Sequence, residues 1–259
     1  MSIESPVLRD ACDGIVSLTL NRPGQQNALC EAMLAELQAA LDEVGRDSDA
    51  RVVVLGGAGR NFCAGHDLKE MRAHREREYY QRLFEQCSRV MGTLVRLPQP
   101  VIAKVQGIAT AAGCQLVAMC DLAVAAETAR FATSGINVGL FCSTPAVPLS
   151  RNVSRKRAFE MLVTGDFIDA STARDFGLVN RVVPEAGLDA AVAALARKIS
   201  ERSPSVVASG KRMFYGQLGM PFEQAATYAA EVMAGDMMSH AAGEGIDAFI
   251  EKRRPVWES

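Results

Sequence analysis

The residues best placed to do chemistry in this chain are small ones. Residues 100–121 read PVIAKVQGIATAAGCQLVAMCD. The apolar run 101–105 predicts a short strand, and Gln106 and Gly107 predict a turn. Ala109, Thr110, Ala111, Ala112 and Gly113 then lead into a helix. The first amide N–H groups of a helix have no intrahelical acceptor, and its dipole favours negative charge there. Small side chains let a ligand approach that backbone, as a site for a developing oxyanion requires. The same residues would also suit a buried helix packed at close range, and this stretch alone leaves both readings open.

Other signatures fail on spacing. Gly56, Gly57 and Gly59 follow a predicted strand, but Phe62 stands where a dinucleotide loop needs its third glycine. Gly210-Lys211 lacks the upstream glycine and the following Ser or Thr of a phosphate loop. The ATSGI context of Ser134 is not a nucleophile elbow. His66, His74 and His240 share no ligand spacing with one another or with the cysteines, so no metal is expected. The basic runs 151–157 and 252–254 fit solvated helix faces, and their charges could equally steer a ligand's phosphates.

Several elements must position these residues. The alternating run 15–20 predicts a strand ending in the turn NRPGQQNAL, residues 21–29. A helix is predicted over 29–44, with Leu34, Leu37 and Leu41 on one face. RVVVL at 51–55 follows as a buried strand, and GGAGRNFCAGHDLKEM as a glycine loop ending near Met71. A long charged helix spans 76–96, with Leu83, Cys87, Val90 and Leu94 inward, and Pro98 and Pro100 stop it. Residues 122–125 form another strand, 131–149 read as loop, helices cover 155–163 and 171–176, and a strand covers 178–183. The remainder is helical, at 188–202, 205–215, 222–238 and 243–252. Alternation first and helices last define an α/β fold with a helical C-terminal extension.

At 259 residues and 49% hydrophobic, the chain can bury a full core. Its net charge of −2 argues against a nucleic-acid partner. Seven cysteines without a CxxC pair predict free thiols in a reducing compartment. The start MSIESPVLRD has neither an apolar signal core nor an Arg-rich amphipathic pattern, so a cytoplasmic location is expected. Residues 107–126 are mostly apolar, but Gln115 and Asp121 interrupt them, which favours a buried core over a membrane span.

The segments NRPGQQNAL (21–29), FCAGHDLKEM (62–71) and PVIAKVQGIATAAGCQLVAMCD (100–121) resemble, in that order, the crotonase (enoyl-CoA hydratase/isomerase) superfamily. FATSGINVGL (131–140) and LVTGDFIDASTARDFGLVNRVVP (162–184) continue the likeness over nearly the whole chain. The resemblance implies a spiral of ββα turns over 1–190 carrying an acyl-CoA site. It also implies a C-terminal helical trimerisation region over 191–259, in a homotrimer or dimer of trimers. The expected substrate is an acyl- or enoyl-CoA, with coenzyme A carried by the thioester and no separate cofactor.

Carried onto this sequence, the family's oxyanion hole falls on the backbone N–H groups of His66 and Ala112. Ala64, His66, Asp67, Leu68 and Lys69 resemble the segment lining the CoA moiety. Gln26 and Ala28 match its adenine-side loop, and Lys252 and Lys69 are phosphate partners. The two hydratase glutamates fall on Gln115 and Gly135, neither of which can move a proton at neutral pH. The chain is similar to a subgroup of enoyl-CoA-hydratase-domain proteins that share these losses. Cys142 and Ser143, in GLFCST, flank the expected acyl pocket at a position the family uses for chemistry. Gln115 with Ser143 or Cys142 would orient substrate or water, Cys142 or Ser143 could act as nucleophile, and Cys142 or the His66 side chain as base. A non-catalytic acyl-CoA binder and a thioester hydrolase are the alternatives.

Overall fold

The computed structural model describes residues 5–257. Its strands in chain order are β1 (Val7–Cys12), β2 (Ile15–Leu20), β3 (Val52–Gly57), β4 (Val101–Val105) and β5 (Ile108–Thr110). They continue as β6 (Leu122–Ala126), β7 (Arg130–Ala132), β8 (Ile168–Asp169) and β9 (Arg181–Val183). The larger sheet runs β1-β2-β3-β4-β6-β9, and the smaller runs β5-β7-β8. From β2 onward the larger sheet is parallel, with β1 its antiparallel edge.

A parallel sheet is covered on both faces, so its central strands are apolar throughout rather than alternating. β3, VVVLGG, is buried at every position. Its Val53 and Leu55 face the main core with Ala103 and Val105 of β4. Its Val52 and Val54 face the opposite way with Ile102 and Val124, beneath Leu188, Val192 and Leu195 of helix α8 (Leu188–Ser200). The main core is roofed by α1 (Glu31–Arg46) and α3 (Arg77–Arg96). Their stripes Met33, Leu34, Leu37, Leu41 and Leu83, Cys87, Val90, Leu94 recur at the helical period. Between α1 and α3 comes the short α2 (Leu68–Ala73), and α4 (Ala112–Met119) follows β5, buried along all but its last residue.

The strand β1 was not expected, because only Val7 of its residues is buried and no alternation betrays it. The stretch 131–149 is not a loop. It contains most of β7, a 3-10 turn (Ser134–Val138) and the first seven residues of α5 (Ser143–Asn152). Pro145 stands in the first turn of α5, where no N–H is needed, and Pro148 inside it forfeits one helical bond. The predicted strand at 178–183 shrinks to β9. After α6 (Arg155–Thr164) and α7 (Ala170–Phe176), helices α8, α9 (Pro204–Gln217), α10 (Phe222–Met237) and α11 (His240–Glu251) complete the chain, as expected.

Helix α9 is anchored by a buried ion pair. Lys211 of α9 donates to Asp121 Oδ2 at 2.7 Å and to the carbonyls of Leu94 and Gln99. The same Asp121 oxygen accepts the Val101 N–H. Desolvation pulls the Lys211 pKa down, against the opposing pull of Asp121. Removing one member of such a pair strands the other charge without a partner. Lys211→Met is therefore expected to lower unfolding free energy by ~3–5 kcal/mol in urea titrations, and an unchanged midpoint would refute this role.

Candidate active site

Three backbone segments converge on residues 62–67. On one side Leu29 N–H donates to the Gly65 carbonyl and Asp67 N–H donates to that of Leu29. On the other, Cys63 N–H donates to Ile108, and Thr110 N–H donates to Cys63, extending the smaller sheet. The fully buried Asn27 locks the third segment. Its side-chain oxygen accepts Arg22 N–H, and its amide donates to the carbonyls of Ala58, Asn61 and Phe62. Nothing in NRPGQQNAL singles Asn27 out as the clamp, although a buried polar residue after a Gly-containing turn is the type that plays it.

Gly65 brings the two expected donors together. It has φ +90°, and a Cβ there would lie 2.9 Å from Ala111 Cβ and 3.2 Å from Ala112 N. Gly113 is pressed against the Cys63 carbonyl in the same way. Ala111, entering α4, holds φ 51° and ψ −120°, a backbone that L residues adopt at a cost of about 1–3 kcal/mol. Among the described residues, neither the His66 nor the Ala112 N–H has a hydrogen-bond acceptor.

Both residues line a cavity of about 350 Å³. Its walls include Met71, Phe84, Val138, Leu140 and Phe141, with Ser134, Gly135, Cys142, Ser143 and Thr144 at one end. No Asp, Glu, Lys or Arg is among them. Ser134 Oγ lies 2.8 Å from Thr110 Oγ1, a hydroxyl pair that sequence reading missed because one member ends β5 and the other opens the 3-10 turn after β7. A second cavity of about 270 Å³ adjoins the first through Ala64, His66 and Leu68. Gln26, Ala28, Asp67 and Lys69 line it, so seven of the residues expected against CoA sit together. Asp67 is turned to structure: it caps α2 through the Lys69 and Glu70 N–H groups and pairs with Arg22.

Other expected residues lie elsewhere. Lys252, in a left-handed conformation after α11, lines neither cavity. Gln115 is one turn beyond Ala112 but buried and on the wall of neither cavity, and its Oε1 has no partner among the described residues. Position 135 has no space for a side chain, since a Cβ would meet the Leu140 carbonyl and, at 2.7 Å, Cys142 Sγ. That sulfur accepts the Gly135 N–H, and burial raises its pKa, which opposes thiolate chemistry. Among the described residues, Ser143 Oγ reaches only the Phe141 carbonyl, with no base attached. The His66 ring has a buried Nε2 without a partner among the described residues, an arrangement costing about 1–3 kcal/mol. Desolvation lowers its pKa from 6.5.

The model of the enoyl-CoA hydratase/isomerase family matches residues 10–259. The chain belongs to that family. It is 46% identical to enoyl-CoA hydratase domain-containing protein 3, mitochondrial, of Mus musculus, over 95% of this chain and 82% of that protein. A crystal structure of an enoyl-CoA hydratase from Mycobacterium smegmatis superposes with TM-score 0.97 at 57% identity, covering 99% of this chain and 100% of that one. The human enoyl-CoA hydratase domain-containing protein 3 superposes with TM-score 0.95 at 45% identity, covering 97% and 100%. The α/β crotonase fold with C-terminal helices is thereby shared with these family members. Relatives from mouse, rat, frog and human carry the word mitochondrial in their names, which overturns the cytoplasmic location expected from the first residues.

The packing at residues 65 and 135 makes two predictions. Gly65→Ala forces Cβ onto Ala111 and a left-handed alanine, at ~1–2 kcal/mol for the backbone alone, and weakens acyl-CoA binding in calorimetric titration. Gly135→Glu is expected to destabilise the fold by ~1–3 kcal/mol through overpacking and to add no hydratase activity in a crotonyl-CoA absorbance assay. A gain of hydration in that variant would show that the Cys142 sulfur does not fill the position.

Proposed function

We propose that this family member binds acyl-CoA thioesters and stabilises their enolate with the His66 and Ala112 N–H groups. The observation that carries the reading is a pair of acceptor-free amides, that of His66 at the junction of an uncharged chamber with a polar outer one and that of Ala112 on the wall of the inner chamber. Acyl chain and CoA need those two environments, and a thioester carbonyl at the junction meets both donors. A donor of this kind is worth roughly 10²–10³ in rate when charge develops on the oxygen. Gln26, Ala28, Ala64, Asp67, Leu68 and Lys69 take the CoA side in this reading. The relatives' names support an acyl-CoA role and, for location, a mitochondrial one.

Standard hydration needs a base for water and an acid for carbon, and each positioned group contributes about 10²–10⁴. With Gln115 walled off and no room at Gly135, the proposed chemistry is confined to steps an oxyanion hole supports without a carboxylate. A purely acyl-CoA-binding role is the second reading, favoured by the absence of carboxylates from the cavity wall. Thioester hydrolysis is disfavoured, because Cys142 and Ser143 lack an activating partner. Assembly as a trimer or dimer of trimers through residues 191–259 belongs to the same proposal. Its support is the exposure of Phe222, Met238 and Phe249, each more than four-fifths accessible in the single chain.

The test pairs calorimetric binding of butyryl-CoA with mass-spectrometric product analysis across short and medium acyl- and enoyl-CoAs. Expected are saturable binding and crotonyl-CoA hydration at least about 10²-fold below that of a two-glutamate family member. Undiminished hydration would overturn the carboxylate-free mechanism, and absence of thioester binding would overturn the function.

A further inference from the structure

The inner chamber is larger than a short acyl group needs in order to place its thioester at the two amides. Its volume of about 350 Å³ equals that of roughly a dozen water-sized groups at about 30 Å³ each. A butyryl group would fill less than half of it. Nor is the chamber enclosed. Leu68, Val138, Leu140 and Phe141 line it, and in the single chain they are 55%, 63%, 49% and 39% exposed. Large apolar side chains open to water around an apolar cavity mark a surface that something else covers.

Two elements supply this rim. Leu68 opens α2, and Met71 follows three residues later on the same helical face. Val138, Leu140 and Phe141 belong to the chain leaving the 3-10 turn, whose end Gly139 caps in a left-handed conformation, φ +79°. The N–H groups of Gly139 and Leu140 donate to the Ile136 and Gly135 carbonyls, which fixes the path of this segment. Other directions are closed to a hydrocarbon chain. At Gly135 the Leu140 carbonyl and the Cys142 sulfur occupy the space that a further group would need. The outer cavity carries Gln25, Gln26, Asp67 and Lys69, a polar lining that repels an apolar tail.

We infer that the site takes thioesters with acyl chains of about eight carbons or more, whose tail leaves the inner chamber across Leu68, Val138, Leu140 and Phe141. The inference rests on the acyl-CoA reading above. The occupant of the rim is the substrate's own tail, because the rim is continuous with the chamber that holds the acyl group. Such a tail brings neither charge nor hydrogen-bonding group, and no wall residue of the chamber would pair a charge. A methylene taken fully out of water tightens binding about four-fold, and one laid against a rim with its other side wet about two-fold. The four rim residues thus set the preference for chain length and take no part in bond making.

Calorimetric titration of the full chain with butyryl-, octanoyl- and dodecanoyl-CoA, each below its micellar concentration, tests this. Affinity is expected to keep rising about two-fold per methylene from octanoyl- to dodecanoyl-CoA, roughly 16-fold in all. In Val138→Ser and Leu140→Ser, each verified as folded by thermal unfolding, the ratio of dodecanoyl to octanoyl affinity should fall about two- to four-fold. A plateau or decline beyond octanoyl-CoA in the wild type overturns the path of the tail and leaves the acyl-CoA reading standing. An unchanged ratio in both folded variants overturns the role of these residues. A lower molecular mass of either variant in light scattering would give the rim to a neighbouring copy of the chain and also overturn the inference. Absence of binding by all three thioesters overturns the underlying reading instead.

Discussion

The approach of Gly65 to Ala111 and Ala112 is the constraint on which the site depends. A Cβ at residue 65 would lie 2.9 Å from that of Ala111 and within 3.2 Å of the Thr110 carbonyl oxygen and the Ala112 nitrogen, on a backbone of positive φ. The closeness is imposed from outside the site, by Leu29 on one flank and β5 on the other, each hydrogen-bonded to the 62–67 segment. Asn27 then ties the first of these flanks to the glycine loop. Because the contact is between backbones, side chains at 66 and 112 are free to differ without removing the donors. The unfavourable φ of Ala111 is sustained by this surrounding network, which leaves the chain at that point no other path.

Much of this was legible in the sequence, for physical reasons that also mark where legibility ended. The stretch 100–121 announced a strand, a turn and a small-residue helix start, because apolar runs and glycine have strong local signatures. Helices with complete stripes, such as α1 and α3, lie within two residues of their expected ends. What local signals could not give was partnership across the chain. β1 has too few buried side chains to show a period, and α5 was hidden by prolines that sit where a helix tolerates them. The Thr110–Ser134 hydroxyl pair joins residues 24 apart in sequence, and the Asn27 clamp reaches more than thirty residues onward. Lys252 and Gln115 were placed by resemblance, and within the single chain neither reaches a cavity wall.

Position 135 shows how the wall of the chamber is closed where the chain has no side chain. A void beside a half-buried backbone N–H has an energetic cost of its own. Here the Cys142 sulfur takes up that space and accepts the Gly135 N–H. A buried thiol is a small, soft filler, and the raised pKa that makes it a poor nucleophile makes it a good one for this purpose. Gly135 and Cys142 are best understood as a unit, each setting the size allowed to the other.

An uncharged chamber also changes what the remaining groups are worth. Without a carboxylate on its wall, only the Leu29 carbonyl favours an imidazolium at His66, and burial outweighs it, so the His66 pKa falls below its ordinary value. A carboxylate at Gly135 would have to be desolvated in the same surroundings, whereas the Cys142 thiol that stands there is buried uncharged. An uncharged wall is therefore the one this packing maintains at least cost.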